Sequence, residues 1–296
     1  PTVVLTHSGL DLIVRDADTE TIKATFSEAM TAAPTITLTL SNGTTITAAP
    51  LSGSGTEWTY AWEVPAGSDG TATVTVAGTD LAGNAYAGSD NLVFTIDNTA
   101  PSTPVVNSQT TNVVTPTITG TAEANARVTV TVNNATYTTT ADGSGNWSIT
   151  TATLPSGTYS VTATATDAAG NVSSVGTGSV TVDNVAPVIY QTGTTTAISS
   201  DPYAITTPEN QLSVYDFDAN ESVSWTISGT NANLFTINQT TGSIVFNTAP
   251  DYETNAGPFA FIVTATDLAG NATSKNINIS ISNVIEAGVT VTVVDG

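Results

Sequence analysis

Three copies of one hexapeptide set the frame of this chain: Thr79-Asp80-Leu81-Ala82-Gly83-Asn84, Thr166-Asp167-Ala168-Ala169-Gly170-Asn171 and Thr266-Asp267-Leu268-Ala269-Gly270-Asn271, spaced 87 and 100 residues apart. A repeat that long is a whole domain and not a solenoid turn. Each copy follows an alternating run, and 16 or 17 residues after its Asp comes Asp97, Asp183 or Asn283 at the end of another. The first two open matching linkers, Asp97-Asn98-Thr99-Ala100-Pro101 and Asp183-Asn184-Val185-Ala186-Pro187, whose proline stops sheet pairing and stiffens a short connection. The expected domains are 1–98, 99–184 and 185–285, with 286–296 beginning a further, truncated segment. Pro1 starts inside a predicted strand, as in a piece of a longer protein.

Thr, Val, Ile and Ala alternate through nearly the whole length, as in Thr35-Ile36-Thr37-Leu38-Thr39-Leu40, Val128-Thr129-Val130-Thr131-Val132 and Asn276-Ile277-Asn278-Ile279-Ser280-Ile281. Period two with β-branched residues, punctuated by Gly, Asn, Asp and Ser, is the pattern of half-buried strands. Helical periodicity is missing. The expectation is an all-β chain of three tandem Greek-key β-sandwiches, and 296 residues suffice for a core in each.

Asp and Glu number 25 against 4 Lys and Arg, a net charge of -21, which excludes nucleic acid and anionic membrane surfaces as partners. With 40% hydrophobic and 10% charged residues the chain is unlike a disordered acidic tail. Cysteine is absent, so disulfides, thiol nucleophiles and thiolate metal sites go together. The single histidine, His7, is read as a surface residue; alone it makes neither a zinc site nor a catalytic triad. No apolar run approaches the roughly 18 residues of a membrane span, and no leader pattern opens the chain. Nucleophile elbows, phosphate loops and zinc motifs are missing, and no enzyme is expected. The pairs Asp16/Asp18 and Asp216/Asp218 could in principle run glycoside hydrolysis, but no pocket-forming insertion accompanies them. Sequons such as Asn42-Gly43-Thr44 arise by chance in so Thr-rich a chain.

The strand count predicts where the carboxylates fall. The hexapeptides become loops between the sixth and seventh strands, at the same end as the second-to-third loops, which hold Glu28, Glu123, and Asp216 with Asp218. The opposite end collects Asp16, Asp18, Glu209, Asp251 and Glu253. End-to-end stacking then gathers Asp16, Asp18, Asp97, Glu123 and Asp167 at one junction, with Asn98 beside them, and Asp183, Asp216, Asp218 and Asp267 at the next, with Asn184. Glu209, Asp251, Glu253 and Glu286 gather at the far end, while Glu28 and Asp80 face a preceding domain. Carboxylates at about 4 Å repel by roughly 1–4 kcal/mol a pair, so a cation belongs there. An all-oxygen donor set selects Ca²⁺ over zinc, copper or iron.

The third domain resembles a cadherin repeat, in Pro208-Glu209-Asn210, Asp216-Phe217-Asp218, Asp251-Tyr252-Glu253 and Asp267. That resemblance implies Ca²⁺ ligation at repeat boundaries. The linker departs from the family pattern, reading Asn283-Val284-Ile285-Glu286-Ala287. The first two domains are similar to bacterial Ig-like repeats through Phe26-Ser27-Glu28-Ala29-Met30, Gly120-Thr121-Ala122-Glu123 and the shared hexapeptide and linker. Such acidic, Thr-rich, cysteine-free arrays resemble extender regions of giant Gram-negative RTX adhesins, including an ice-binding group. The resemblance implies export by type I secretion and folding outside the cell, where Ca²⁺ is plentiful.

The leading expectation is a monomeric, calcium-rigidified rod on the order of 110–130 Å. At the bacterial surface it would space or present a distal ligand-binding domain for attachment or biofilm formation, its partners being calcium and flanking domains of the same adhesin. The alternative is that one domain itself binds glycan, peptide or a neighbouring adhesin: Trp58, Tyr60 and Trp62 share one sheet face, although the first reading of that face is core, as it is for Trp147 and Trp225. Ice binding is disfavoured, because these Thr residues alternate within ordinary twisted strands.

Overall fold

Alternation of small polar and branched apolar residues becomes strands with one wet and one dry face. In Thr35–Leu40 the residues Ile36, Leu38 and Leu40 are buried while Thr39 is exposed. The computed structural model describes residues 1–86 and 88–285. Its fold is a series of β-sandwiches, and the only helical element among the described residues is the 3-10 turn Ala232–Leu234.

The chain makes two compact units. One holds Pro1–Asn107, Thr117–Ile149 and Ser160–Gly178; the other holds Ser108–Pro116, Thr150–Tyr159 and the described chain from Ser179 to Ile285. In the first unit, one sheet orders Val3–His7, Thr19–Phe26, Glu57–Glu63 and Ser52–Ser54. Its partner orders Ile13–Val14, Leu92–Ile96, Gly70–Ala77, Thr35–Leu40 and Thr45–Pro50. Chain neighbours thus cross between sheets, and the facing sides bury Ile22, Ala24, Trp58 and Trp62 against Ile36, Leu38, Val74 and Phe94. The same unit pairs Arg127–Val132 with Ala135–Thr140 on one side, through a turn whose Asn133 and Asn134 both have positive φ. Its Val128 and Val130 are fully buried.

The second unit contains three sheets drawn from Ile189 to Ser282. One orders Tyr203–Pro208, Ala272–Ser282, Phe259–Thr266 and Ser224–Ser228; another orders Ser213–Asp216, Ser243–Phe246 and Phe235–Ile237; Ile189–Tyr190 pairs with Asp218–Ala219. Phe217, Trp225, Phe235, Phe246, Phe259 and Phe261 fill the core between them.

One device recurs. A strand near the start of each sandwich runs parallel to its last strand: Ile13–Val14 with Leu92–Ile96, Gln109–Thr111 with Gly176–Val182, and Tyr203–Pro208 with Ala272–Ser282. The pairing brings entry and exit loops together, with Asp97 N donating to Val14 O at 2.9 Å and Asp183 N to Thr111 O at 2.9 Å.

One open reading is decided here and one expectation changes. Trp58 and Trp62 are 7% and 1% exposed, so the aromatic face is core, and the ligand-binding alternative loses the feature that motivated it. His7 is not a surface residue: its ring stands edge-on to Phe94 at 5.3 Å, and Nδ1 lies 3.4 Å from Oε2 of the buried Glu20. Glu20 sits opposite Trp62 on the core side of its strand, and Ser8 Oγ and Gly9 N both donate to its Oε2 at 2.9 Å.

Candidate metal centres

Each hexapeptide is the hairpin loop between the last two strands of its sandwich, and its Asp and Asn are first of all turn residues. Oδ1 of Asp80, Asp167 and Asp267 accepts the backbone N–H of Asn84, Asn171 and Asn271 at 2.8, 2.8 and 2.9 Å, while Oδ2 accepts the side-chain N–H at 2.9, 2.9 and 2.8 Å. The Gly between them has φ of 87°, 88° and 93°, a left-handed conformation that disfavours a side chain. Asp142-Gly143-Ser144-Gly145-Asn146 folds the same way without the flanking motif. Hydrogen bonds from Asn84 hold the Asp80 carboxyl below its ordinary range.

The amide also reaches the linker. Asn171 Nδ2 donates to the backbone oxygen of Asp97 at 2.9 Å, and Asn271 Nδ2 donates to that of Asp183 at 2.8 Å.

Among the described residues carboxylates converge in two places, both in the second unit. Asp183, Glu221 and Asp267 each offer an oxygen, all within 4.8 Å of one another. Asp267 is buried and the other two are half-buried. Burial, and then the charges of Asp267 and Asp183, push the Glu221 carboxyl above its ordinary value. Burial works to raise Asp267 as well, but hydrogen bonds from Asn271, Gly270 and Ala269 together outweigh it and hold that carboxyl low. The second group is Glu209, Asp251 and Glu253. Glu209 is 1% exposed and accepts Val284 N at 2.7 Å and Tyr252 N at 2.8 Å, one on each oxygen. Asn283 Nδ2 donates to Glu253 Oε1 at 2.6 Å.

Glu221 escaped the sequence reading, which placed Asp216 and Asp218 in that loop. Both lie in strands, Ser213–Asp216 and Asp218–Ala219, flanking the fully buried Phe217, so the pleat turns them away from its side. Asp218 instead accepts Gly193 N at 2.7 Å. A signal was available: Glu123 and Glu221 stand four and three residues before Arg127 and Ser224, which pair with Thr166 and Thr266 of their hexapeptides.

The acids expected together at the first junction are not gathered into such a group. Asp16 Oδ2 accepts Gly67 N and its own N–H donates to Asn98 Oδ1; Asp18 accepts Arg15 N; Asp97 accepts Thr99 N; Glu123 is exposed. Asp167 is taken up by Asn171. Asn98 and Asn184 tie each linker to its own sandwich, through Asp69 and Ser156. Glu28 is exposed and lies near Asp80, whose carboxyl it helps to lower. Glu286 lies outside the described residues.

The two groups fit a hard cation. Their donors are all oxygens, two of the carboxylates are buried, and among the described residues none of the four basic side chains is ion-paired with them. Calcium takes six to eight such ligands.

Sequence comparison bears on the part of the chain before most of these carboxylates. The profile of the bacterial Ig-like domain matches residues 11–98 and again 102–184, more than half of the chain. The chain belongs to the bacterial Ig-like domain family. No curated protein matches it. Among solved structures, this bacterial Ig-like chain is similar to fibronectin(III)-like modules of Clostridium thermocellum CbhA, with 13% identity over 61% of this chain and 94% of that one, TM-score 0.36. It is similar to Drosophila N-cadherin EC1-3, with 16% identity over 86% and 90%, TM-score 0.28. The protocadherin gammaB7 EC3-6 cis-dimer structure matches with 14% identity over 92% and 72%, TM-score 0.28. Bacterial Ig-like domains are typically structural modules without catalysis. No helix among the described residues is long and apolar enough to cross a membrane.

Proposed function

We propose that this chain is a calcium-rigidified extracellular segment of a large bacterial surface adhesin, of the RTX type its sequence resembles. In this reading residues 1–98, 99–184 and 185–285 act as modules that space or present ligand-binding domains elsewhere in the same protein. The observation that carries the reading is the meeting of Asp183, Glu221 and Asp267, three mutually repelling carboxylates with no cationic side chain to neutralise them. Asp183, Glu221 and Asp267 would hold one ion, and Glu209, Asp251 and Glu253 another. A bound divalent ion removes the repulsion and ties the Asp183 linker to the loop that follows it.

A thermal melt in EDTA and in about 5 mM Ca²⁺ tests this, since extracellular calcium modules bind at about 10⁻⁴–10⁻³ M. One site at a hundredfold excess over its dissociation constant adds about 2.7 kcal/mol, and a clear rise in melting temperature is expected. Identical melts in the two buffers would sink the proposal.

A further inference from the structure

The same position is filled differently in two places. The residue after Val14 is Arg15, and the residue after Thr111, the equivalent strand end, is Asn112. Each faces the glycine of a hexapeptide: a Cβ built on Gly170 would stand 3.5 Å from the Arg15 guanidinium carbon, and one on Gly270 would stand 3.7 Å from Asn112 Nδ2. Arg15 Nη1 donates to the backbone oxygen of Gly170 at 2.5 Å, and its Nε lies 4.0 Å from Asp18 Oδ1. Asn112 brings no charge. Beside it the carboxylates of Asp183, Glu221 and Asp267 close into a group; beside Arg15 the described acids do not.

We propose that the Arg15 guanidinium is the resident cation where the Asp97–Pro101 linker meets the Gly170 loop, so that this linker is held without a divalent ion. A guanidinium is always charged and directs several N–H groups from one plane. It can therefore serve an oxygen-lined loop and a carboxylate at once, as a metal would. The contact with Gly170 is the stronger part, since an exposed Arg–Asp pair at 4.0 Å adds little. The contrast with the Asp183 linker rests on the calcium reading above; the role of Arg15 does not.

Oδ1 of Asp16 is buried and without a hydrogen-bond partner, and Asp16 N donates to Asn98 Oδ1 of this linker, so a divalent ion competing with Arg15 for the role would be expected at that oxygen. The test is amide hydrogen exchange at Asn98–Ala100 and Asn184–Ala186, in EDTA and in calcium, on the unaltered chain and on Arg15→Gln, Lys275→Gln and Asp16→Asn. Lys275→Gln removes the same charge elsewhere, and Asp16→Asn keeps an acceptor for Gly67 N. Expected is exchange at Asn98–Ala100 that calcium changes by less than about twofold and that Arg15→Gln speeds by about tenfold, the worth of a charge-assisted hydrogen bond, with Lys275→Gln silent. Unchanged exchange in Arg15→Gln overturns the proposal. So does a calcium-dependent slowing at Asn98–Ala100 that Asp16→Asn abolishes. Calcium indifference at Asn184–Ala186, with the Arg15→Gln effect intact, supports the role of Arg15 and defeats the calcium reading instead.

Discussion

Asn271 places its side-chain nitrogen 2.8 Å from the backbone oxygen of Asp183, a residue 88 positions earlier. Asn171 does the same to Asp97 at 2.9 Å. In both cases the second N–H goes to the hexapeptide's own Asp, so one amide closes the turn and fastens the linker. Asp cannot do this, because a carboxylate has no N–H to give. The repeat therefore encodes an attachment as well as a turn.

Replacing that amide should be costly. Asn171 is 9% exposed, and Asn171→Ala removes donors to Asp97 O and Asp167 Oδ2. Leaving these half-buried acceptors unpaired should cost about 1 kcal/mol, the low end of the range for buried groups, and urea denaturation should show a loss of that order. A loss below a few tenths would mean the amide is replaced by water without penalty.

Glu209 separates charge from hydrogen bonding. Glu209→Ala leaves the N–H groups of Val284 and Tyr252 without acceptors and should destabilise by about 1–3 kcal/mol for each in EDTA, and in calcium it should also lose calcium-induced stabilisation, because a proposed ligand is gone. Glu209→Gln keeps one acceptor and removes the charge. It should cost less in EDTA and lose part of the calcium-induced rise in melting temperature. Equal calcium responses in Glu209→Gln and the unaltered chain would remove Glu209 from the ion's ligands.

Much of this was legible from local pattern. Alternation in Thr35–Leu40 names its own buried face, and the spacing of Asp80, Asp167 and Asp267 points to a hairpin loop in each module. Asp216 and Asp218 misled because strand ends are not encoded as sharply as faces: Phe217 is fully buried, which keeps its neighbours in pleated backbone instead of a loop. Arg15 was invisible as a partner of Gly170, since nothing local links residues 155 apart. His7 misled by its nearness to a terminus, although its alternation with the buried Val3 and the half-buried Leu5 puts it on the inner face.

The aromatic residues give a direct check on which face is core. Trp62 is 1% exposed and packs on Phe94 with ring centroids 5.2 Å apart. Trp62→Ala should cost about 3–5 kcal/mol of stability, read by denaturant midpoint. A variant as stable as the parent would return this ring to the list of binding residues.

Glu221→Gln should act with opposite sign in the two buffers. Burial and the charges of Asp267 and Asp183 raise the folded value of Glu221 above 4.5, so its ionised form is disfavoured in the fold. Its penalty is absent below 4.5 and sets in as pH rises through the raised value. Asp267 runs the other way: held below 3.8, it contributes stability that is present above 3.8 and lost as pH falls through its lower folded value. In EDTA the melting temperature should therefore climb as pH falls through the raised value of Glu221 and turn down again as it falls through the lowered value of Asp267. Glu221→Gln should reduce the climb, leaving the part due to Glu253, and stabilise the chain in EDTA near pH 7 by under about 1 kcal/mol, the scale of screened charge pairs. In calcium the same substitution removes a ligand charge and should weaken binding on the order of tenfold. Acid should then destabilise the calcium form over the window in which it stabilises the EDTA form, because protons and the ion compete for one carboxylate. Melting curves that move together in both buffers would mean Glu221 titrates alone and holds no ion.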